Sequence, residues 1–181
     1  MTVILIVMPI SQANSDFSPE FIRTEMQRVK ANPDYKVSIA IDAPIQEVFD
    51  FLLTRVDAYS PDAHSVLFDH SNSKKIENLA EGSERITIMK GNKSLVQRLV
   101  KIDEPTSFVY FTDMQKTQLK VPITYSIADY EFIQQKNGKV IANISVVYQP
   151  KSRTVAPLVR RSFNKAMNRD FNNAKRILEM E

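Results

Sequence analysis

Cysteine and tryptophan are absent from the 181 residues, and glycine occurs only three times. The lack of cysteine excludes disulfide staples, thiolate metal sites and cysteine nucleophiles. It says nothing of compartment, because disulfide-free proteins occur in every one. The scarcity of glycine excludes a phosphate-cradling loop, which needs clustered glycines so that backbone can approach the ligand. No Gly-x-Ser-x-Gly elbow is present to support a Ser-His-Asp hydrolase. The apolar run at the N-terminus falls well short of the ~20 residues that cross a bilayer as a helix.

What is present is an ordinary globular balance, 43% apolar and 25% charged. A chain of this length suits one domain with a sizeable core. Charge is unevenly placed: from Lys151 onward eight Lys/Arg face three Asp/Glu, a local +5, which leaves −2 for the rest of a chain whose net charge is +3. An argument from basic surface therefore rests on the C-terminal segment alone. At the other end, Ser11 and Ala13 place small residues where a signal peptidase acts, just before Asn14, yet no Lys or Arg precedes the apolar run. Met1–Ala13 reads equally as a cleaved signal, which would make the protein exported or periplasmic, or as a frayed terminus or extra strand of a cytoplasmic one.

The three glycines, Gly82, Gly91 and Gly138, each separate two runs of β-type residues. Asn137-Gly138 is the dipeptide best suited to a tight hairpin, since both positions tolerate positive φ. The spacing predicts strands over Lys36–Asp42, Val66–Leu79, Ser83–Lys90, Ser94–Asp103, Ser107–Thr112, Ile123–Gln134 and Lys139–Tyr148. In the last of these, Val140, Ala142, Ile144, Val146 and Tyr148 share one face. Helices are predicted over Pro19–Lys30, Pro44–Leu53 and about Val155–Met180, each with proline suited to its first turn. On the longest, Val159, Phe163, Ala166, Met167, Phe171, Ala174, Ile177 and Leu178 form one broad apolar face.

A twisted antiparallel sheet of this extent curls as it grows, and the C-terminal helix is the one element long enough to cover its concave side. A straight helix across a curved sheet does not touch all of it, and the gap between two apolar walls is a ligand-sized space. A fully packed core satisfies the same pattern.

The run Val37-Ser-Ile-Ala-Ile-Asp-Ala-Pro-Ile-Gln-Glu-Val-Phe-Asp-Phe-Leu-Leu53 resembles the opening strand and helix of the START-like, or SRPBCC, superfamily. That group includes polyketide cyclases, birch-pollen-allergen relatives, lipid-transfer START domains and coenzyme-Q-binding proteins. Glu81–Gly91 and Val100–Tyr110 resemble its middle hairpins, and the likeness runs from about Lys36 to Glu181. The tryptophan that often follows the first helices is missing, with Tyr59 placed to take part of its role. The resemblance implies an α+β helix-grip fold, a curved antiparallel sheet wrapped around a long C-terminal helix, over 36–181. Residues 14–35 then form an N-terminal helical extension. Its motifs specify fold and not chemistry.

Phe49, Leu52, Tyr125, Ile144, Phe163, Met167 and Phe171 are the expected cavity lining, at least half of them being simple core. Asp170 falls within the apolar face of the last helix, where an unpaired carboxylate is costly. It reads as a polar anchor or acid/base group for a ligand, or as one half of a salt bridge to Arg85 or Arg98. His64 and His70 lie near Asp57, Asp62 and Asp69 in a region expected to be a solvated loop, without the spacing of a metal motif. No cofactor or metal set emerges. Arg161, Lys165, Arg169 and Arg176 form a basic stripe that reads as a solvated helix face or as a contact for anionic lipid. The absence of interleaved aromatics argues against nucleic acid. Three functions follow: binding of a hydrophobic small molecule or lipid, a cyclase- or dehydratase-type reaction requiring Asp170, Tyr125 and Arg98 to converge, or a membrane- or partner-binding module.

Overall fold

The computed structural model describes residues 17–75 and 78–180; the alternatives for Met1–Ala13 lie outside them. In chain order the elements are α1 (Pro19–Ala31), β1 (Tyr35–Ile41), α2 (Ile45–Thr54), α3 (Val56–Tyr59), β2 (Ala63–Asp69), β3 (Glu84–Met89), β4 (Lys93–Asp103), β5 (Ser107–Asp113), β6 (Ile123–Gln134), β7 (Val140–Pro150) and α4 (Ala156–Leu178). The seven strands make one antiparallel sheet in the order β1-β7-β6-β5-β4-β3-β2. Consecutive strands from β2 to β7 are neighbours, a meander of hairpins closed by β1 pairing with β7. Bulges at Leu99/Lys101 in β4 and Ile123/Ser126 in β6 interrupt the pairing, and an extra residue on one strand bends it and deepens the local twist.

Each face of the sheet has its own cover. On the concave side α2 and α4 bury Phe49, Leu52, Phe171 and Ala174 against Phe108, Tyr130 and Ile144. On the convex side α1 lays Ile22, Met26 and Val29, spaced one and two turns apart, over Val109, Phe111, Ile127 and Val147. Each fully buried side chain of this size contributes about 1.5–3 kcal/mol. Ser18 starts α1 by accepting the Phe21 N–H at 3.1 Å, which satisfies one of the four donors a helix start leaves open. Asp34 ties α1 to the sheet: its carboxylate accepts from Arg28 at 2.9 Å and from the Tyr148 backbone N–H at 3.0 Å.

α4 is anchored along its C-terminal half. Asn168 accepts from the Tyr35 hydroxyl at 2.8 Å, Asn173 donates to the Tyr59 carbonyl at 3.2 Å, and Lys175 donates to the Ala40 carbonyl at 2.5 Å. Its N-terminal half meets the sheet through Phe163, whose ring lies 6.1 Å from that of Tyr35 and 4.9 Å from that of Tyr148.

Two expectations are corrected. The strand predicted over Val66–Leu79 is β2, Ala63–Asp69, followed by turns. Asp69 ends it by accepting the Ser71 N–H at 2.8 Å, a side-chain turn that competes with continued pairing. The His/Asp region is therefore not one loop: Asp57 lies on α3, and His64 and Asp69 lie on β2.

Candidate ligand cavity

Between the concave face and α4 lies a cavity of about 460 Å³. α4 supplies Leu158, Ser162, Phe163, Met167, Asp170 and Phe171, and the sheet answers with side chains from β3 to β7. Val121, Ile123, Ala128 and Val146 make much of that wall apolar. The exposed lining residues, Pro122 before β6 and Leu158 and Ser162 on α4, mark its mouth. Leu158, 63% exposed, is the large apolar side chain on that rim.

One row of polar side chains crosses the floor. Arg85 on β3 pairs in register with Gln97 on β4, and Thr112 on β5 pairs with Ser126 on β6. Arg85 Nη2 donates to Gln97 Oε1 at 2.8 Å, and Gln97 Nε2 approaches Thr112 Oγ1 at 3.4 Å. All four line the cavity.

Arg85 dominates the row. It is 2% exposed, and its Nη1 donates to the carbonyls of Leu52 and Leu53 at 3.3 and 2.7 Å. Those carbonyls belong to the last turn of α2, where helical acceptors lack intrahelical donors and the helix dipole is negative. The guanidinium carbon also sits 4.0 Å from the centroid of the Tyr110 ring, a favourable cation–π geometry. Tyr59 and Tyr110 complete the helix end, their hydroxyls donating to the Leu52 and Leu53 carbonyls at 3.4 and 3.2 Å. Tyr59 is buried on α3 with its ring 5.7 Å from that of Phe51.

In the sequence Arg85 stands out only as a partner for Asp170. In β3 the polar Arg85 and Thr87 are buried while Ile86 and Ile88 are only half-buried. Reading Ile86 and Ile88 as the core face inverts this strand, and the usable signal was an arginine alternating with threonine inside a strand.

The expected lining separates into three groups. Phe163, Met167, Asp170 and Phe171 line the cavity. Phe49, Leu52 and Ile144 are fully buried in the core beside it, outside the lining. Tyr125 is a correction: it lies on the convex face under α1, donating to Glu25 Oε2 at 2.8 Å. The bulge between Ile123 and Ser126 puts both of those residues on the cavity side and turns Tyr125 away.

Asp170 forms no bridge to Arg85 or Arg98. Its carboxylate accepts from Arg169 Nε at 2.8 Å, Arg169 Nη2 reaches Asp62 at 2.7 Å, and Asp62 meets Lys90 at 3.2 Å. This chain clasps α4 to the sheet and removes Arg169 from the basic stripe as a free cation. Arg98 lies over the Phe111 ring at 5.5 Å, on the convex face with Tyr125. Asp170, Tyr125 and Arg98 therefore do not converge on one volume.

The buried phenols carry a pH dependence. Burial pushes Tyr110 up to about 12, against the opposing charge of Arg85; Tyr59 and Tyr130 are raised by burial in the same way. An unfolded tyrosine releases its proton near pH ~10. Above that value the folded chain binds more protons than the unfolded one, so stability is fully present below it and falls as pH rises toward 12. Urea unfolding at successive pH values above 9 is expected to show this decline, and Tyr110→Phe to make it shallower. An unchanged alkaline slope in that variant would contradict the assignment.

The architecture defines the chain as an α+β helix-grip domain, a seven-stranded curved sheet gripping a C-terminal helix of 23 residues. No protein-family model and no curated protein matches it. Solved structures do. The crystal structure of Ara h 8.0201 superposes with a TM-score of 0.62 at 11% identity, covering 81% of this chain and 97% of its own. A protein from Thermobifida fusca gives 0.61 at 17% identity over 77% and 89% of the two chains. XoxI from Bacillus cereus gives 0.59 at 11% identity over 80% and 94%. At these identities the likeness is one of fold, and at that level it agrees with the START-like resemblance of Val37–Leu53.

Proposed function

We propose that this protein binds a hydrophobic small molecule or lipid in the space between sheet and α4, by burial and without covalent chemistry. The carrying observation is a cavity of about 460 Å³ with a largely apolar wall, within the ~300–1,000 Å³ usual for small-molecule sites. Transfer of apolar ligand surface from water supplies about 25 cal/mol per Å². Phe163 and Phe171 give the α4 wall its bulk, and Met167 between them is unbranched and polarizable, able to follow different ligand shapes.

Binding is read with the uncharged dye N-phenyl-1-naphthylamine and by native mass spectrometry before and after delipidation. The intact protein is expected to enhance dye fluorescence saturably, and the as-purified sample to carry apolar mass that delipidation removes. Met167→Trp fills the space from the helix side and weakens dye binding by about tenfold, roughly 1.4 kcal/mol. It leaves the fold intact because the added ring enters empty volume instead of packed core. Identical masses together with no dye binding would overturn the proposal.

A further inference from the structure

Arg85 places a full positive charge in a wall from which water is largely excluded, and a guanidinium does not deprotonate there. Its acceptors, the Leu52 and Leu53 carbonyls, Gln97 Oε1 and the Tyr130 hydroxyl, are all uncharged, and the buried Nε has none. Among the described residues no carboxylate pairs with it. The other charges near the cavity cancel: Lys90, Asp62, Arg169 and Asp170 form a chain of two cations and two anions, with the Asp170 carboxylate spent on Arg169. The wall therefore retains one positive charge that no carboxylate among the described residues pairs, at the end of the polar row.

Capping α2 accounts for the two Nη1 bonds and for nothing else. A neutral glutamine donates to those carbonyls without the desolvation cost of a buried ion. The retained charge on a cavity-lining side chain calls for a negative acceptor from outside the chain. An anionic oxygen supplies it, since charge-assisted bonds from arginine to carboxylate are shorter and about twice as strong as neutral ones.

Resting on the cavity as a ligand site, we infer that the ligand is an amphipathic carboxylic acid whose carboxylate is held at the Arg85 guanidinium where it lines the cavity. The Tyr130 hydroxyl accepts from the same guanidinium and lines the cavity, which leaves its own proton to donate to the ligand. The hydrocarbon runs beneath α4 past Met167 toward the rim at Leu158.

The test uses the full chain with two probes of equal length, dodecanoic acid and methyl dodecanoate, each labelled with 13C at the carbonyl and titrated by NMR at pH 7.5. The acid is expected to bind at least tenfold more tightly than the ester. Its bound carboxyl, titrated downward from there, is expected to stay ionised to lower pH than the free acid. Arg85→Gln is expected to bring the acid-to-ester ratio near one. Should that variant unfold, the preference and the carboxyl titration in the unaltered protein decide alone. Equal binding of acid and ester, or a bound acid that protonates more readily than the free one, overturns the inference and leaves the cavity reading standing. Binding of neither probe overturns the inference, and the cavity reading falls with it only where the dye does not bind and delipidation leaves the mass unchanged.

Discussion

Replacing Phe108 with alanine is expected to lower the unfolding free energy by about 3–5 kcal/mol, the range for deleting a buried phenyl ring from a core that relaxes only in part. Phe108 is fully buried on β5 at the centre of an aromatic group. It stacks on Tyr130 with centroids 4.4 Å apart and meets Phe49 edge-on at 5.5 Å, with Tyr110 and Phe132 at 5.6 and 5.7 Å. Such pairs add about 0.5–1.5 kcal/mol each beyond area burial. Set against a typical domain stability of ~5–15 kcal/mol, the loss leaves little reserve. Equilibrium urea unfolding of Phe108→Ala beside Phe108→Leu measures it. The leucine variant keeps much of the volume and is expected to lose clearly less. An alanine variant within ~1 kcal/mol of the unaltered protein would mean that the group is not a packed core.

Gly82→Ala is expected to cost about 3 kcal/mol or more, through backbone strain and collision together. Gly82 has φ of +96°, and a Cβ there would lie 2.0 Å from the Asn72 carbonyl oxygen and 2.9 Å from its carbon. Both are backbone atoms, so no rotamer relieves the clash. The Gly82 N–H donates to the Leu99 carbonyl at 2.8 Å, and the Leu99 N–H returns to Ser83 at 2.8 Å. This pair sets the start of β3 against β4, three residues before Arg85. The substitution is therefore expected to loosen the polar row as well as the fold. Gly91 and Gly138 serve as controls, each with positive φ but nothing within 4 Å of an added Cβ. Alanine there carries the left-handed backbone penalty of about 1–2 kcal/mol alone. Comparable losses at all three positions would refute the role of the Asn72 contact.

The readable parts of this molecule are those written in local periodicity. Val140, Ala142, Ile144 and Val146 alternate inward along β7 as a period of two requires. Phe163, Met167, Phe171, Ala174 and Leu178 recur at helical spacing and face the sheet along α4. Asn137-Gly138 turns the last hairpin with φ of +86° at the glycine. Strand order followed because consecutive hairpins leave neighbours in sequence as neighbours in space.

Where a side chain answers to a partner distant in the chain, periodicity fails. One extra residue at the Ile123/Ser126 bulge reverses the faces of β6, so Tyr125 joins α1 and Ser126 joins the cavity. Asp170 sits on the expected helix face, yet its partner is its own neighbour Arg169, held by Asp62 from 107 residues away. Polar and apolar residues exchange sides along β3 because the end of α2 offers two carbonyls that Arg85 reaches from the concave face.

The sequence by itself thus determined the kind of protein this is: hairpins closing a curved sheet and one long amphipathic helix across it. Only the tertiary structure decided that room remains between the two and what lines it. Register aligned Arg85, Gln97, Thr112 and Ser126 from four strands into one row, a coincidence of positions spread over 42 residues. Residue spacing along one strand carries no record of which neighbour it pairs with or where a bulge shifts it, and the charge in the cavity depends on both.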